Sequence, residues 1–454
     1  MPGHVTATVA ANGSVYAVGV LVHYEQSEGD PESGPVSTGS TAFVAKWNPT
    51  TQRLLWLVQM GSRFRDEGTP AALVVQDSIV YVLGQFDAAS QGFGHPVRAT
   101  GRGDVFVTRL TDHGTHATAN WTQPLGYPNR YTWARHLACD GAAVYVAGTT
   151  EEVESRLDPA TSQWLPRASR AFVAKLTDAG TRALPGWQHT WDVRRGYHEV
   201  VALATQRGRV YLATNTWQPT PSPSEPQGWR GEGMLPAHAN YRVHLTQFRS
   251  QGAGYRIGWT HTEAGQGAGL ALAGNALYVT GRADADHAFG HPPADAQDVP
   301  GDLFVAKLVV TGTTVQTAWV QRLRGTGHDE YARMPYVAVR GRRVYLAGIF
   351  ALPRLALDSV VLRNSNRNSG NRNLFVAQLT DAGATSRFDW AHRLGNEHAA
   401  DFGAFALDGP RLYISGYFQG YRNLPVLLGK QQFLVPYENV GDGVLLQGWL
   451  PVGP

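Results

Sequence analysis

VYVAG at residues 144–148, FVAKL at 172–176 and the tryptophan at 187 form the stretch on which the fold turns, because the same three marks return along the chain. The first reads VYAVG around Tyr16, VYVLG around Tyr81, VYLAT around Tyr211, LYVTG around Tyr278, VYLAG around Tyr345 and LYISG around Tyr413. With Tyr145 included, successive tyrosines are 65, 64, 66, 67, 67 and 68 residues apart. Self-similarity at such a fixed period is the signature of a repeat architecture.

Working outward from each tyrosine, a second mark begins at Phe43, Phe106, Phe172, His244, Phe304, Phe375 and Phe433. Eight residues later a glycine usually follows, as at Gly114, Gly180, Gly252, Gly312, Gly383 and Gly441. Next comes a tryptophan: Trp56, Trp121, Trp187, Trp259, Trp319, Trp390 and Trp449. Upstream of each tyrosine lies a small apolar segment that ends in a turn signal, as in VAANGSVY (9–16), ACDGAAVY (138–145) and ALDGPRLY (406–413). Asn-Gly and Asp-Gly suit a two-residue hairpin, whose central residues take positive φ. Each unit therefore predicts four short strands. They are apolar at nearly every position, as expected where both faces are covered, and a one-sided sheet would alternate more cleanly.

Four-stranded units in radial array close into a propeller with protected edges. The sequence predicts an all-β fold, a seven-bladed β-propeller of four-stranded antiparallel blades. It reads as one domain over 1–454, with blades near 1–62, 63–127, 128–193, 194–265, 266–325, 326–396 and 397–454. A linear solenoid is the structural competitor. In the last repeat, either QQFLVPYENVG and VLLQGWL supply the third and fourth strands, or GDGVLLQGWL is the third and the fourth is absent; Trp449 favours the complete blade.

Composition agrees. Of 454 residues, 51 are Gly and 26 Pro, which suits tight turns and disfavours helices. The net charge of +3, with no long run of like charge, lacks the footprint of a nucleic-acid binder. The densest basic stretch, RNSNRNSGNR at 363–372, reads as a solvated loop. Cys139 is the only cysteine, so neither an intramolecular disulfide nor a cysteine metal cage is available. No apolar run is long enough to span a bilayer as a helix. The chain opens directly on a strand-like segment with no export leader.

The marks resemble those of the bacterial β-propeller repeats known as SBBP repeats, most closely in GDLFVAKLVVTGTTVQTAW (301–319) and HDEYARMPYVAVRGRRVYLAG (328–348). The resemblance covers essentially the whole chain. It implies an exported or cell-surface bacterial protein serving recognition or adhesion, with no shared catalytic residues. Repeat four departs from it, with Thr214 in place of Gly, His244 in place of Phe, and a Pro-rich insert.

In a propeller the loops that enter the innermost strands open on one face around the axis. Here they are polar: Arg65 and Asp66 before blade two, and Arg130, Tyr131, Trp133 and Arg135 before blade three. Arg195, Tyr197, His198 and Glu199 precede blade four, His328, Asp329, Tyr331 and Arg333 blade six, and Asp401 blade seven. Guanidinium groups take carboxylate or sulfate in bidentate fashion, and Trp or Tyr offers a flat face to a sugar or peptide. Single carboxylates such as Asp66, Asp329 and Asp401 can equally tie loops by accepting backbone N–H bonds. Trp133, Arg135, Tyr197, His198 and Arg333 stand out because the repeat does not demand them.

FGHP occurs at 93–96 and 289–292, three blades apart, and reads as a turn rather than a shared metal site. No phosphate loop, zinc signature, calcium loop or nucleophile elbow is present, and nothing points to a metal or cofactor. The leading expectation is a non-catalytic scaffold whose funnel face binds a polysaccharide, peptide or partner protein. One alternative is an eliminating lyase for acidic polysaccharide, with Tyr197 or His198 as base and Arg135 or Arg195 neutralising a uronate. Another is a structural module of a larger surface protein.

Overall fold

The computed structural model describes residues 3–25, 36–51, 53–60, 70–86, 89–90, 93–152, 156–157, 164–165, 169–191, 197–219, 239–283, 303–324, 336–350, 353–364, 373–395, 400–408, 411–418, 425–428, 431–434 and 443–448. Every regular element among them is a strand. In the first six repeats the small apolar segment pairs with the tyrosine strand, that strand with the phenylalanine strand, and that in turn with the tryptophan strand, all antiparallel. Blade three is typical, with strands Arg130–Asp140, Ala143–Glu152, Ser169–Asp178 and Ala183–Thr190. Blade four consists of Tyr197–Gln206, Arg209–Pro219, Ala239–Gln251 and Gly254–Ala264.

The first strands pack side by side in a closed circuit. Gly3–Ala11 lies against Pro70–Gln76, and the contacts continue through Arg130–Asp140, Tyr197–Gln206, Gln266–Ala273, Tyr336–Arg340 and Ala400–Asp408 back to Gly3–Ala11. The molecule is thus a β-propeller with four-stranded antiparallel blades and no linear stack. Hairpin turns close as the Asn-Gly signal predicts, with Asn12 at φ 53° and Gly13 at φ 69°.

The blade count corrects the sequence expectation: six blades have the four-stranded arrangement, not seven. The last repeat forms a three-stranded sheet of Ala400–Asp408, Arg411–Phe418 and Gly443–Gly448. The GDGVLLQGWL stretch takes the third position, and Trp449 lies outside the described residues. Gln431–Leu434, which carries Phe433, pairs with Pro425–Leu428 instead, and this hairpin extends blade six through Leu394↔Leu428 and Gly395↔Leu427. The cause is legible in Pro436, three residues after Phe433, where other repeats carry a residue of the internal ladder. Proline cannot donate to that ladder and is excluded from central strands.

The blades are held by a clasp that crosses each seam. Within a blade, Tyr81, Arg109 and Trp121 stand in one cross-strand row. All three reach Asp178 of the next blade: the Tyr81 hydroxyl at 2.7 Å, Arg109 Nε at 2.7 Å and Trp121 Nε1 at 3.0 Å. Tyr16, Lys46 and Trp56 meet Asp112 in the same way, and Tyr278, Lys307 and Trp319 meet Asp381. Each aspartate also accepts the N–H of the glycine two residues on, Gly114, Gly180 or Gly383. These donors hold all three carboxyls below the usual carboxylate range despite burial. Trp56, Trp121 and Trp319 are therefore both core residues and hydrogen-bond donors.

Candidate ligand-binding site

The inner strands of blades three and four carry the predicted site residues that the structure describes with side chains. Five of the first six inner strands, and that of the last sheet, carry a bulge opposite the residue ending the V-Y-x-x-G mark: at Thr6, Ala71, Arg135, Val201, Ala268 and Gly403. A bulge inserts one unpaired residue and bends the strand. At blade three this residue is Arg135, which is exposed. Gly148, opposite the bulge, has no room for a side chain, since a Cβ there would lie 2.6 Å from the Ala134 Cα.

The residue before each bulged pair occupies one tier around the axis. It pairs one position beyond the marker glycine and is His4, Trp133, Glu199, Gln266 or Asp401 in the blades where register is described. Trp133 and Glu199 are thus adjacent members of one ring. Trp133 stacks on Tyr131, with centroids 5.6 Å apart and planes 15° from parallel, and both rings are half-buried. Gly103, at the end of the blade-two loop, bridges Tyr131, and the Thr132 N–H donates to the Gly103 carbonyl at 2.8 Å, so this edge is anchored by its neighbour.

Glu199 is exposed, yet surrounding protein raises its carboxyl above the usual range, with the Arg135 charge opposing that rise. The arrangement offers a flat aromatic face, a cation and a carboxyl on adjacent strands. Chemically this can hold a planar or pyranose-like ring with an anionic substituent.

Other candidates are placed differently. Arg130 is committed to its own blade through Glu152 at 2.8 Å. His198 is not on the open face: it is 4% exposed, its Nε2 meets Thr214 Oγ1 at 2.9 Å, and burial pushes its pKa down to about 4. The reason is strand alternation, which turns His198 into the seam when Glu199 faces outward. Tyr197 pairs with Trp217 and Asp401 with Tyr417 along the backbone. Arg65, Asp66, Arg195, His328, Asp329, Tyr331 and Arg333 lie outside the described residues.

His95 of the first FGHP bonds the Ala119 carbonyl at 3.4 Å and Phe93 packs on Phe106, so that motif serves as a packed turn. His291 lies outside the described residues, among which no three His, Cys, Asp or Glu group to hold a metal. Burial pushes the Cys139 thiol up to about 11. No described helix is long and apolar enough to cross a membrane.

Sequence reasoning did not join His136, His189 and Trp191 with His198 and His244 as one group. The only signal was the pair of departures at Thr214 and His244.

No family model matches the chain, and no curated protein matches it. Among solved structures, it is similar to the β-propeller domain of the Trilobed protease from Pyrococcus furiosus, which has an open velcro topology, at 8% identity and TM-score 0.44, covering 97% of this chain and 100% of that one. A protein of unknown function from Dyadobacter fermentans is similar at 13% identity and TM-score 0.40, over 78% of this chain and 92% of that one. The GH43_1 enzyme from Xanthomonas citri, complexed with xylotriose, is similar at 12% identity and TM-score 0.32, over 64% and 82%. The fold assignment rests on sheet topology rather than on these likenesses.

Proposed function

We propose that this protein is a non-catalytic recognition scaffold, acting outside the cell, which binds an acidic polysaccharide on its funnel face at the inner strands of blades three and four. The observation that carries the reading is the Tyr131–Trp133 stack beside exposed Arg135 and Glu199. Aromatic faces bind the apolar side of a sugar ring while a guanidinium takes its carboxylate. Convergence of a few polar groups on an apolar platform is what a ligand site requires. The exported setting rests on the resemblance to the bacterial repeats.

The lyase alternative names Tyr197 or His198 as base, and only the second has a described side chain. His198 is buried, bonded to Thr214 and a poor proton acceptor at neutral pH, and a general base must come within hydrogen-bond reach of substrate.

Polygalacturonate and neutral dextran, titrated in a thermal-shift assay while 235-nm absorbance is followed, test the proposal. The expected result is a saturable shift with polygalacturonate alone, flat absorbance, and binding at least about tenfold weaker in Trp133→Ala and Arg135→Ala, equivalent to ~1.4 kcal/mol. Rising absorbance would establish the lyase, and no shift with either polymer would favour a structural module.

A further inference from the structure

The seam between blades three and four is built unlike the clasped seams. Where Asp112, Asp178 and Asp381 stand elsewhere, this seam has Ser250, which receives Lys175 Nζ at 3.1 Å and Trp187 Nε1 at 3.1 Å. Lys175 also donates to the Gly252 carbonyl at 3.0 Å, so its charge meets no carboxylate there.

Four histidines line the same seam. His136 reaches across from blade three to the Val200 carbonyl at 3.1 Å. His189 bonds the Tyr255 hydroxyl at 2.8 Å, and its ring packs edge-on to Trp191 at 4.4 Å. Trp191 in turn packs on His198 at 5.5 Å, and His198 lies 6.2 Å from His244. His244 is held between Thr216 at 2.7 Å and Thr262 at 2.9 Å. His198 Nδ1 is buried with no hydrogen-bond partner.

This cluster results from a paired departure from the repeat. In five blades the marker glycine pairs directly with the phenylalanine, as Gly148↔Phe172 and Gly281↔Phe304. A Cβ at Gly281 would come within 2.8 Å of the Phe304 ring. In blade four the same pair is Thr214↔His244, and the register position of His198 is filled in blade three by Thr132. Together these replacements turn an apolar contact into a chain of imidazoles and hydroxyls.

We infer that this seam is an acid-operated joint: protonating its histidines, of which His198 is buried and the other three half-buried, separates blades three and four while the aspartate-clasped seams stay shut. Each added proton places a charge in a partly desolvated site, for His198 beside the imidazoles of His189 and His244. The other charged groups cannot neutralise it. Arg242 and Arg135 are cations that act on His244 and His136, opposing their protonation. Asp140 is engaged by the Gly208 N–H at 2.5 Å, Glu263 by His261 at 2.8 Å, and Glu199 points to the opposite side of its strand from His198.

Burial already lowers all four histidines, His136 and His198 to about 4. With folded values below the unfolded one, the unfolded seam binds more protons as pH falls through 6.5. Closure is therefore complete above about 6.5 and is lost progressively toward 4. The inference holds whatever the funnel binds.

Hydrogen exchange of the full chain, compared at pH 7.5 and 5.0 after correction for intrinsic rates, tests it. Residues 183–191 and 197–206 should lose protection by about tenfold at pH 5.0, while 104–112 and 79–86 stay unchanged. The variant His198→Thr with Thr214→Gly and His244→Phe restores the pairing of the other blades and should reduce that acid response to what His136 and His189 supply. His189→Gln, which leaves the cross-strand pair untouched, should reduce it and decides the matter if the triple variant fails to fold. Exchange independent of pH, equal loss at every seam, or an undiminished response in the foldable variant would overturn the inference.

Discussion

Tyr81 and Tyr413 hold the same place in the repeat and differ in what their hydroxyls meet. Tyr81 donates to Asp178, whereas the Tyr413 hydroxyl is buried without a partner. The next repeat supplies the difference: by position, Pro49 stands in blade one where Asp112 and Asp178 stand in blades two and three. Hydrogen bonds to charged groups contribute about 2 kcal/mol, and removing a group that bonds nothing costs little. Tyr81→Phe should therefore lower stability by about 2 kcal/mol in urea unfolding, and Tyr413→Phe by less than about 0.5. Equal losses would remove the clasp as the reason for the repeated tyrosine. Asp178 itself leaves a buried Arg109 uncompensated when removed, so Asp178→Asn should cost about 3 kcal/mol at pH 7. Because the folded carboxyl titrates below its unfolded value, its contribution is complete above about 3.9 and vanishes as pH falls through the folded value. Melting curves of Asp178→Asn and the parent should converge below pH 4.

At the scale of strands, the marker glycine and the bulge it faces are one device. Gly148 lies against Ala134, and Gly84 leaves space for the Phe106 ring, so the inner strands of blades two and three can kink where the glycine has no side chain, whereas blade four bulges at Val201 opposite Thr214. Gly148→Ala should cost about 2 kcal/mol by overpacking and misplace Trp133 and Arg135, weakening polygalacturonate binding in the thermal-shift titration; unchanged melting and binding would detach the bulge from the site. Much of this level was legible in sequence: the tyrosine, phenylalanine and tryptophan marks specify three strands and the Asn-Gly pairs their turns. The partner of Lys46 or Trp56 was not, because a repeat period fixes position within a blade and says nothing of which residue of the next blade it faces. Nor was the fate of Phe433, where the repeated mark outweighed Pro436. For the site, departure from the repeat singled out Trp133 and Arg135 but assigned them to an entering loop, whereas they lie on the inner strand itself, Arg135 at its bulge. Spacing could not distinguish exposed Glu199 from buried His198, since one residue of phase decides between funnel and seam.

For the whole molecule, closure is a circuit of unequal seams. Blades one and two, two and three, and five and six are joined by complete aspartate clasps. Blades four and five lack one: Gln247 replaces the cation and bonds Tyr211 at 3.2 Å, Val310 replaces the aspartate, and Trp259 Nε1 is buried without a partner. There the Asn215 side chain clamps the Gly267 backbone at 2.9 and 2.8 Å instead. The last sheet meets blade one through a small cluster of Val15, Ala406 and Tyr413, bordered by Ala10 and Trp47, and it has three strands. Among the described residues this seam has a small apolar cluster and no aspartate clasp, the Arg411 guanidinium donating to Thr50 Oγ1 at 3.3 Å, and it is the seam where sub-global opening is expected to begin. Native-state hydrogen exchange in low urea should therefore release Arg411–Phe418 first, at an opening free energy at least about 2 kcal/mol below that of Ile79–Phe86. Residues 239–251 of blade four, which has no aspartate clasp on either side, should follow and the clasped blades come last. If Ile79–Phe86 and Arg411–Phe418 exchange on one isotherm at every urea concentration, the ring opens as a single cooperative unit and the clasps do not grade its seams.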